Sequence, residues 1–161
     1  MTKLNVTSLI EGESDDVDKE VARLVAERVK DHNDKIVYMQ FDSVDHAGHG
    51  YGAESSEYRL AMEKVDGYIG LIYDAYKEKG LIEDTLFICV SDHGHTVKGG
   101  HGKESALEKQ TTLALAGKTV KKGASAKYVT HDLASIVLYA LGVKQPARYA
   151  GGIPKNLFTV L

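Results

Sequence analysis

Three features of the sequence predict an α/β fold with parallel strands. Segments with apolar residues at helical spacing alternate with short, almost wholly apolar runs, the pattern of strands joined by right-handed helical crossovers. Clusters of Asp, His and Gly follow directly on two of those runs, where open α/β sheets place their chemistry. At 161 residues with 43% hydrophobic residues, the chain suffices for one domain with a sizeable core, predicted to span residues 1–161. No internal repeat, low-complexity stretch or linker divides it.

The first helix is predicted from about Asp15 to His32. Val17, Val21, Leu24, Val25 and Val29 recur at helical spacing, Ser14 can act as N-cap, and Asp15 and Asp16 suit the positive end of the helix dipole. Asn33 and Asp34 break the pattern. Lys35 to Phe41 is apolar almost throughout and reads as a strand covered on both faces, with Asp42 to Ala53 as its loop. The longest helix is predicted from about Ser55 to Lys79, with Tyr58, Ala61, Met62, Val65, Ile69, Ile72 and Tyr76 forming its apolar stripe. Gly80 suits its C-terminus. A strand follows from about Thr85 to Val90, then a glycine-rich loop from Gly94 to Lys103 and a third strand from Thr111 to Ala116. Thr130 can cap a last helix from His131 to Leu141, which Gly142 ends. Val143 to Leu161 is less patterned.

Composition excludes several functions. The formal charge of −3 offers no broad attraction to nucleic acid, and Lys118, Lys121, Lys122 and Lys127 read as a solvated loop. No apolar run approaches the roughly 20 residues that span a bilayer, and Met1 to Asn5 lacks the apolar core of a secretory signal. The expectation is a soluble, cytoplasmic chain without a membrane partner. The single cysteine, Cys89, rules out an internal disulfide and is expected as a small buried hydrophobe in its strand.

The polar clusters carry the chemistry. Asp45 and His49 lie four positions apart, so both side chains reach one point if the loop curls or starts a helical turn. Asp92 and His93 are adjacent and can serve one site only where the strand has ended, a break that Gly94 permits. His101, between Gly100 and Gly102, is free of neighbouring side chains. Two carboxylates and three imidazoles make the mixed oxygen and nitrogen set that suits Zn²⁺ or Mn²⁺. Two such ions about 4 Å apart can polarise a phosphoryl oxygen and stabilise attacking and leaving oxygens. His46 and His95 stand inside the clusters and can either ligate or orient ligands. Asp42 can ligate or cap the loop. His32 and His131 lie near helix ends and read as surface residues.

The order and spacing of these clusters resemble the C-terminal half of the alkaline phosphatase superfamily, and most closely its type I phosphodiesterase/nucleotide pyrophosphatase branch. Asp45-x-x-x-His49, Ser91-Asp92-His93-Gly94, Gly100-His101-Gly102 and the short run Leu113 to Gly117 match that branch in order. Asp132 to Ile136 followed by Leu141-Gly142-Val143 resembles its closing helix. The resemblance covers roughly Lys35 to Phe158. It implies a three-layer αβα fold with a mostly parallel sheet, alkaline-phosphatase-like but truncated. It also implies two divalent metal ions, Zn²⁺ first and Mn²⁺ as the alternative. Asp45, His49 and His101 would hold one ion, and Asp92 and His93 the other. The family's remaining metal-binding Asp and its Thr or Ser nucleophile have no match here, so no catalytic nucleophile is assigned.

Three functions follow as expectations. The first is a fragment or truncated form of a metal-dependent phosphohydrolase of phosphodiesterase, nucleotide pyrophosphatase or phosphatase type, acting on a small phosphate ester. The second is a non-catalytic metal-binding or interaction module that retains the ligands. The third is an ordinary α/β domain with fortuitous histidines. A sheet lacking part of its strands would also leave an open edge, predicting self-association or pairing with a separate chain.

Overall fold

Residues 15–159 are described by a computed structural model. Helix α1, Asp15–Asp31, starts with three acidic residues in its first turn and ends with Arg28 and Lys30 in its last, both favourable to the helix dipole. The predicted Ser14 cap lies outside the described residues. The most deeply buried line of α1 is Asp18, Ala22, Ala26 and Val29, with the other predicted valines half-buried beside it. Small alanines on that line let α1 lie close against the long helix α3, Ser56–Glu78, where Ala26 and Val29 pack on Ala75. The Ser55 hydroxyl accepts from Tyr58 N and caps α3 as the serine's position suggests. Asp15 adds a polar clamp between α1 and α3, accepting from Lys64 Nζ at 2.8 Å and from the Tyr68 hydroxyl at 2.7 Å.

Between these helices the sequence reading needs two corrections. Lys35 to Phe41 forms no strand, and Ile36 and Tyr38 are 58% and 81% exposed. A strand exists through hydrogen bonds to a neighbour, and among the described residues none lies alongside this segment. Asp42 to Ala53 is not a plain loop: Ser43–Tyr51 forms helix α2, which packs on α3. Gly52 ends α2 at φ 87°, its N–H returning to the Gly48 carbonyl.

The sheet also differs from expectation. Strands β1, Phe87–Val90, and β2, Leu113–Ala116, are the only ladder among the described residues, and they pair antiparallel with Phe87 opposite Ala116 and Val90 opposite Leu113. The mostly parallel, three-layered sheet is therefore not formed here. The connection, residues 91–112, contains helix α4, Ala106–Lys109, a single turn, and brings the chain back antiparallel beside β1. Cys89 is exposed on this short ladder rather than buried. Helix α5, Asp132–Ala140, is capped by His131 without a side-chain bond, and not by Thr130; instead the Asp132 carboxylate accepts from Val129 N. Ile136 on α5 packs with Leu157 and Phe158 from the tail and with Ile88, Leu113 and Leu115 of the sheet. Val120 and Phe158 add an isolated antiparallel bridge, so the weakly patterned tail completes a core. Burying side chains of this size stabilises by roughly 1.5–3 kcal/mol each.

Candidate metal centre

Helix α2 brings the first predicted pair together. One helical turn separates Asp45 from His49, which places both on one face, and His49 Nε2 lies 3.5 Å from Asp45 Oδ2. The other carboxylate oxygen is ringed by imidazoles. Asp45 Oδ1 lies 2.7 Å from His95 Nε2, 3.4 Å from His101 Nε2 and 3.6 Å from His93 Nε2. His49 Nε2 and His101 Nε2 stand 3.1 Å apart, and the His93 and His101 rings stack with centroids 3.6 Å apart.

Three pieces of local structure hold this arrangement. β1 ends at Val90, and the turn beyond it is fixed where Ser91 N donates to the Thr112 carbonyl and Ser91 Oγ accepts from Thr112 N. Asp92 and His93 therefore lie beyond the ladder, as their adjacency requires. The glycine-rich loop is stitched by Thr96 N donating to Gly100 O and by Ala53 N donating to Thr96 O, which joins it to the end of α2. Gly100 and Gly102 take φ of 75° and 103°, the left-handed region that admits glycine readily, and present His101 between them. Beyond the loop, Ser105 and Glu108 form a capping box, and buried Glu108 also accepts from Lys103 N at 2.8 Å. The Ser105 hydroxyl and the Lys103 N–H hold the Glu108 carboxyl below its ordinary pKa. Its carbonyl accepts from Gly94 N, tying this anchor to the His93 segment.

Of the five predicted ligands, Asp45, His49, His93 and His101 converge. Asp92 stands at the rim with its side chain 89% exposed, meeting the cluster through His93 Nε2 at 3.7 Å. His95, left open between ligand and orienting group, is the most deeply buried member at 5% exposure. Gly48 makes its place: a Cβ there would stand 2.6 Å from the His95 ring. Asp42 does not cap α2 with its side chain, which accepts from Gln40 instead. Tyr58, read in the sequence as part of an apolar stripe, packs edge-on against His95 with centroids 5.9 Å apart. Burial, and then the Asp45 charge, push its phenol pKa up. Helical periodicity does not separate such a tyrosine from its core neighbours.

The donor set fits a divalent metal. One ligand atom each from Asp45, His93, His95 and His101 lies within 4.8 Å of the others. The Gly94 carbonyl, 3.2 Å from His93 Nδ1, can only accept, so Nδ1 carries the proton and the Nε2 lone pair faces the cluster. The same logic makes His95 Nε2 the donor to the Asp45 carboxylate. Its Nδ1 is buried without a hydrogen-bond partner among the described residues.

A family model described as "Type I phosphodiesterase / nucleotide pyrophosphatase" matches residues 4–144. The chain belongs to that family. The resemblance carried by the Asp, His and Gly clusters is thereby borne out, and members of the family handle phosphoesters. The chain is 31% identical over 102 residues to GPI ethanolamine phosphate transferase 2 of Aspergillus fumigatus, covering 63% of this chain and 13% of that protein. It is 38% identical over 93 residues to GPI ethanolamine phosphate transferase 3 of Eremothecium gossypii, covering 56% and 9%. It is 37% identical over 65 residues to human ectonucleotide pyrophosphatase/phosphodiesterase family member 1, covering 40% and 7%. The chain thus spans no more than 15% of the length of these curated relatives. No solved structure matches it. The relatives overturn the cytoplasmic expectation: GPI transferases and an ectonucleotide enzyme give no cytoplasmic precedent, and general composition carries no address. Among the described residues, no helix is long and apolar enough to cross a membrane.

Proposed function

We propose that this chain supplies the metal-binding part of a metal-dependent enzyme that cleaves or transfers phosphate esters. The observation that carries the proposal is the Asp45 carboxylate with His101 and His93 Nε2 at 3.4 and 3.6 Å from its Oδ1 and His49 Nε2 at 3.5 Å from its Oδ2. Asp45, His49 and His101 are the proposed ligands of one ion, and Asp92 and His93 those of a second. The imidazole-rich set favours Zn²⁺, and Mn²⁺ accepts the same donors. Bound there, a divalent ion would supply Lewis-acid polarisation of a phosphoryl oxygen. His95 orients Asp45 by donating to its Oδ1, which leaves Oδ2 toward His49. The Gly94 carbonyl orients His93 in the same sense.

The relatives support a phosphodiester, pyrophosphate or phosphoethanolamine-bearing substrate, with water or an alcohol as acceptor. The nucleophile is assigned to no residue of this chain. Exposed Ile36 and Tyr38 support pairing of the Lys35 to Phe41 segment with another strand, from a second copy or a separate chain. The second reading is a metal-binding module without turnover. It is favoured by the exposure of Asp92, which leaves the proposed second site open on one side.

The test is hydrolysis of bis(p-nitrophenyl) phosphate by the purified chain, titrated with Zn²⁺ and Mn²⁺, beside His49→Ala and Asp92→Ala. Metal-dependent turnover lost in both variants supports the enzyme. Zn²⁺ binding that depends on His49, with no turnover, supports the module. Zn²⁺ binding indifferent to His49 and Asp45→Asn would sink both.

A further inference from the structure

Helix α2 carries Asp45 and His49, yet its sequence does little to hold it in place. It has nine residues, below the length at which a helix is stable by itself, and it contains Gly48 and Gly50. Its N-cap residue, Asp42, makes no side-chain capping bond. Both functional residues lie within two turns of an N-terminus whose backbone donors need acceptors.

Those acceptors come from another helix. Asp18, 24 and 25 positions upstream on α1, accepts from Asp42 N with Oδ1 and from Ser43 N with Oδ2, each at 3.0 Å. Its side chain is a carboxylate at 1% exposure, on the line of α1 otherwise occupied by Ala22, Ala26 and Val29. A buried carboxylate is costly without compensation, and here two N–H donors and the positive end of α2 provide it. Two bonds to consecutive amides fix the start of α2 in both position and direction. Asp45 follows two residues later.

We infer that Asp18 is a positioning residue of the metal centre: it caps α2 from α1 and so sets where the Asp45 and His49 donors converge with His93, His95 and His101. The inference rests on the metal-centre reading above. Asp18 touches neither substrate nor metal in it, and acts through the backbone of α2. A side chain whose truncation lets the helix shift would spread the donor atoms while leaving each of them present.

The experiment is Zn²⁺ affinity of the 161-residue chain, by competition with a chromophoric chelator, for Asp18→Ala, Asp18→Asn and His49→Ala. Amide exchange at Asp42 and Ser43 is followed in the metal-free proteins. Asp18→Ala is expected to weaken Zn²⁺ by about 10- to 100-fold, as loss of an outer orienting group does. Asp18→Asn, with one acceptor oxygen left, is expected to fall between that and wild type. Protection of both amides should drop in step while far-UV helix content is kept. Affinity of the folded fraction within about twofold of wild type would overturn the inference while leaving the metal centre standing. Loss of folding in both Asp18 variants, unrelieved by Zn²⁺, would also overturn it, making Asp18 a core residue alone. Binding that His49→Ala leaves unchanged would remove the metal centre itself, and the inference with it.

Discussion

At Asp45, one carboxylate oxygen is shared among three imidazoles, and its placement depends on a residue with no side chain. Gly48 sits one turn along α2, and the His95 ring occupies the space its Cβ would need. Gly48→Ala is therefore expected to push His95 off Asp45, destabilising by about 1–3 kcal/mol as overpacking does. Urea unfolding reads the stability, and chelator competition should show weaker Zn²⁺ binding as well. A variant as stable as wild type would mean that the ring relocates freely. The candidate ligands Asp45, His49, His93 and His101 are legible in the sequence because metal ligands must be of few types and must sit where backbone ends or bends. His95 is only half legible. It stands in the same cluster, but whether an imidazole binds a metal or orients a ligand depends on what faces each nitrogen. Asp18 is not legible at all, since one Asp among several at a helix start reads as a dipole partner.

At the scale of elements, α1, α2 and α3 form a unit held by small apolar contacts and by polar clamps. Asp15 illustrates the second kind. The hydrogen bond from Lys64, and then that from Tyr68, hold its carboxyl below the ordinary value of 3.8. A pKa lowered on folding contributes stability above the unfolded value and loses it as pH falls through the folded one. Asp15→Asn should therefore be less stable than wild type at neutral pH, and the two should converge below about pH 4. The side chain is 40% exposed, so screening limits the difference to ~1 kcal/mol at most. On the alkaline side, burial and then the bond to Asp15 push Tyr68 up to about 12. Its contribution is present below its ordinary value of 10.0 and is lost as pH rises through about 12. Urea midpoints of both proteins across pH check the two limbs. The helices themselves follow from periodicity and capping, whereas α2 does not: its nine residues mix polar ligands with glycine and show no apolar stripe. It is a helix because α3 covers one side and Asp18 caps its start.

For the whole molecule, stability is concentrated in two small cores, one between α1 and α3 and one where α5 and the tail close over the sheet. Ile136, fully buried in the second, should cost about 2–5 kcal/mol when replaced by Ala. Tyr38→Ser on the exposed segment before α2 should stay within about 0.5 kcal/mol in the dilute, unpaired chain, because within one chain it has no packing to lose. Urea unfolding of both tests this division; a large cost at Tyr38 would show that the segment is packed in solution. By itself the sequence determined the α/β class, three of the helix spans and two of the strand spans, a candidate metal-type donor set and the resemblance to the family the chain belongs to. All of these rest on local periods or on residue chemistry at short spacing, which need no partner to be read. Only the tertiary structure decided that Lys35 to Phe41 lacks a ladder among the described residues, that β1 and β2 run antiparallel, and that Asp18 and His95 support Asp45. A strand needs a neighbour's donors and acceptors, and a buried polar group needs a specific partner; both are supplied by residues far away in the chain, so no local pattern contains them.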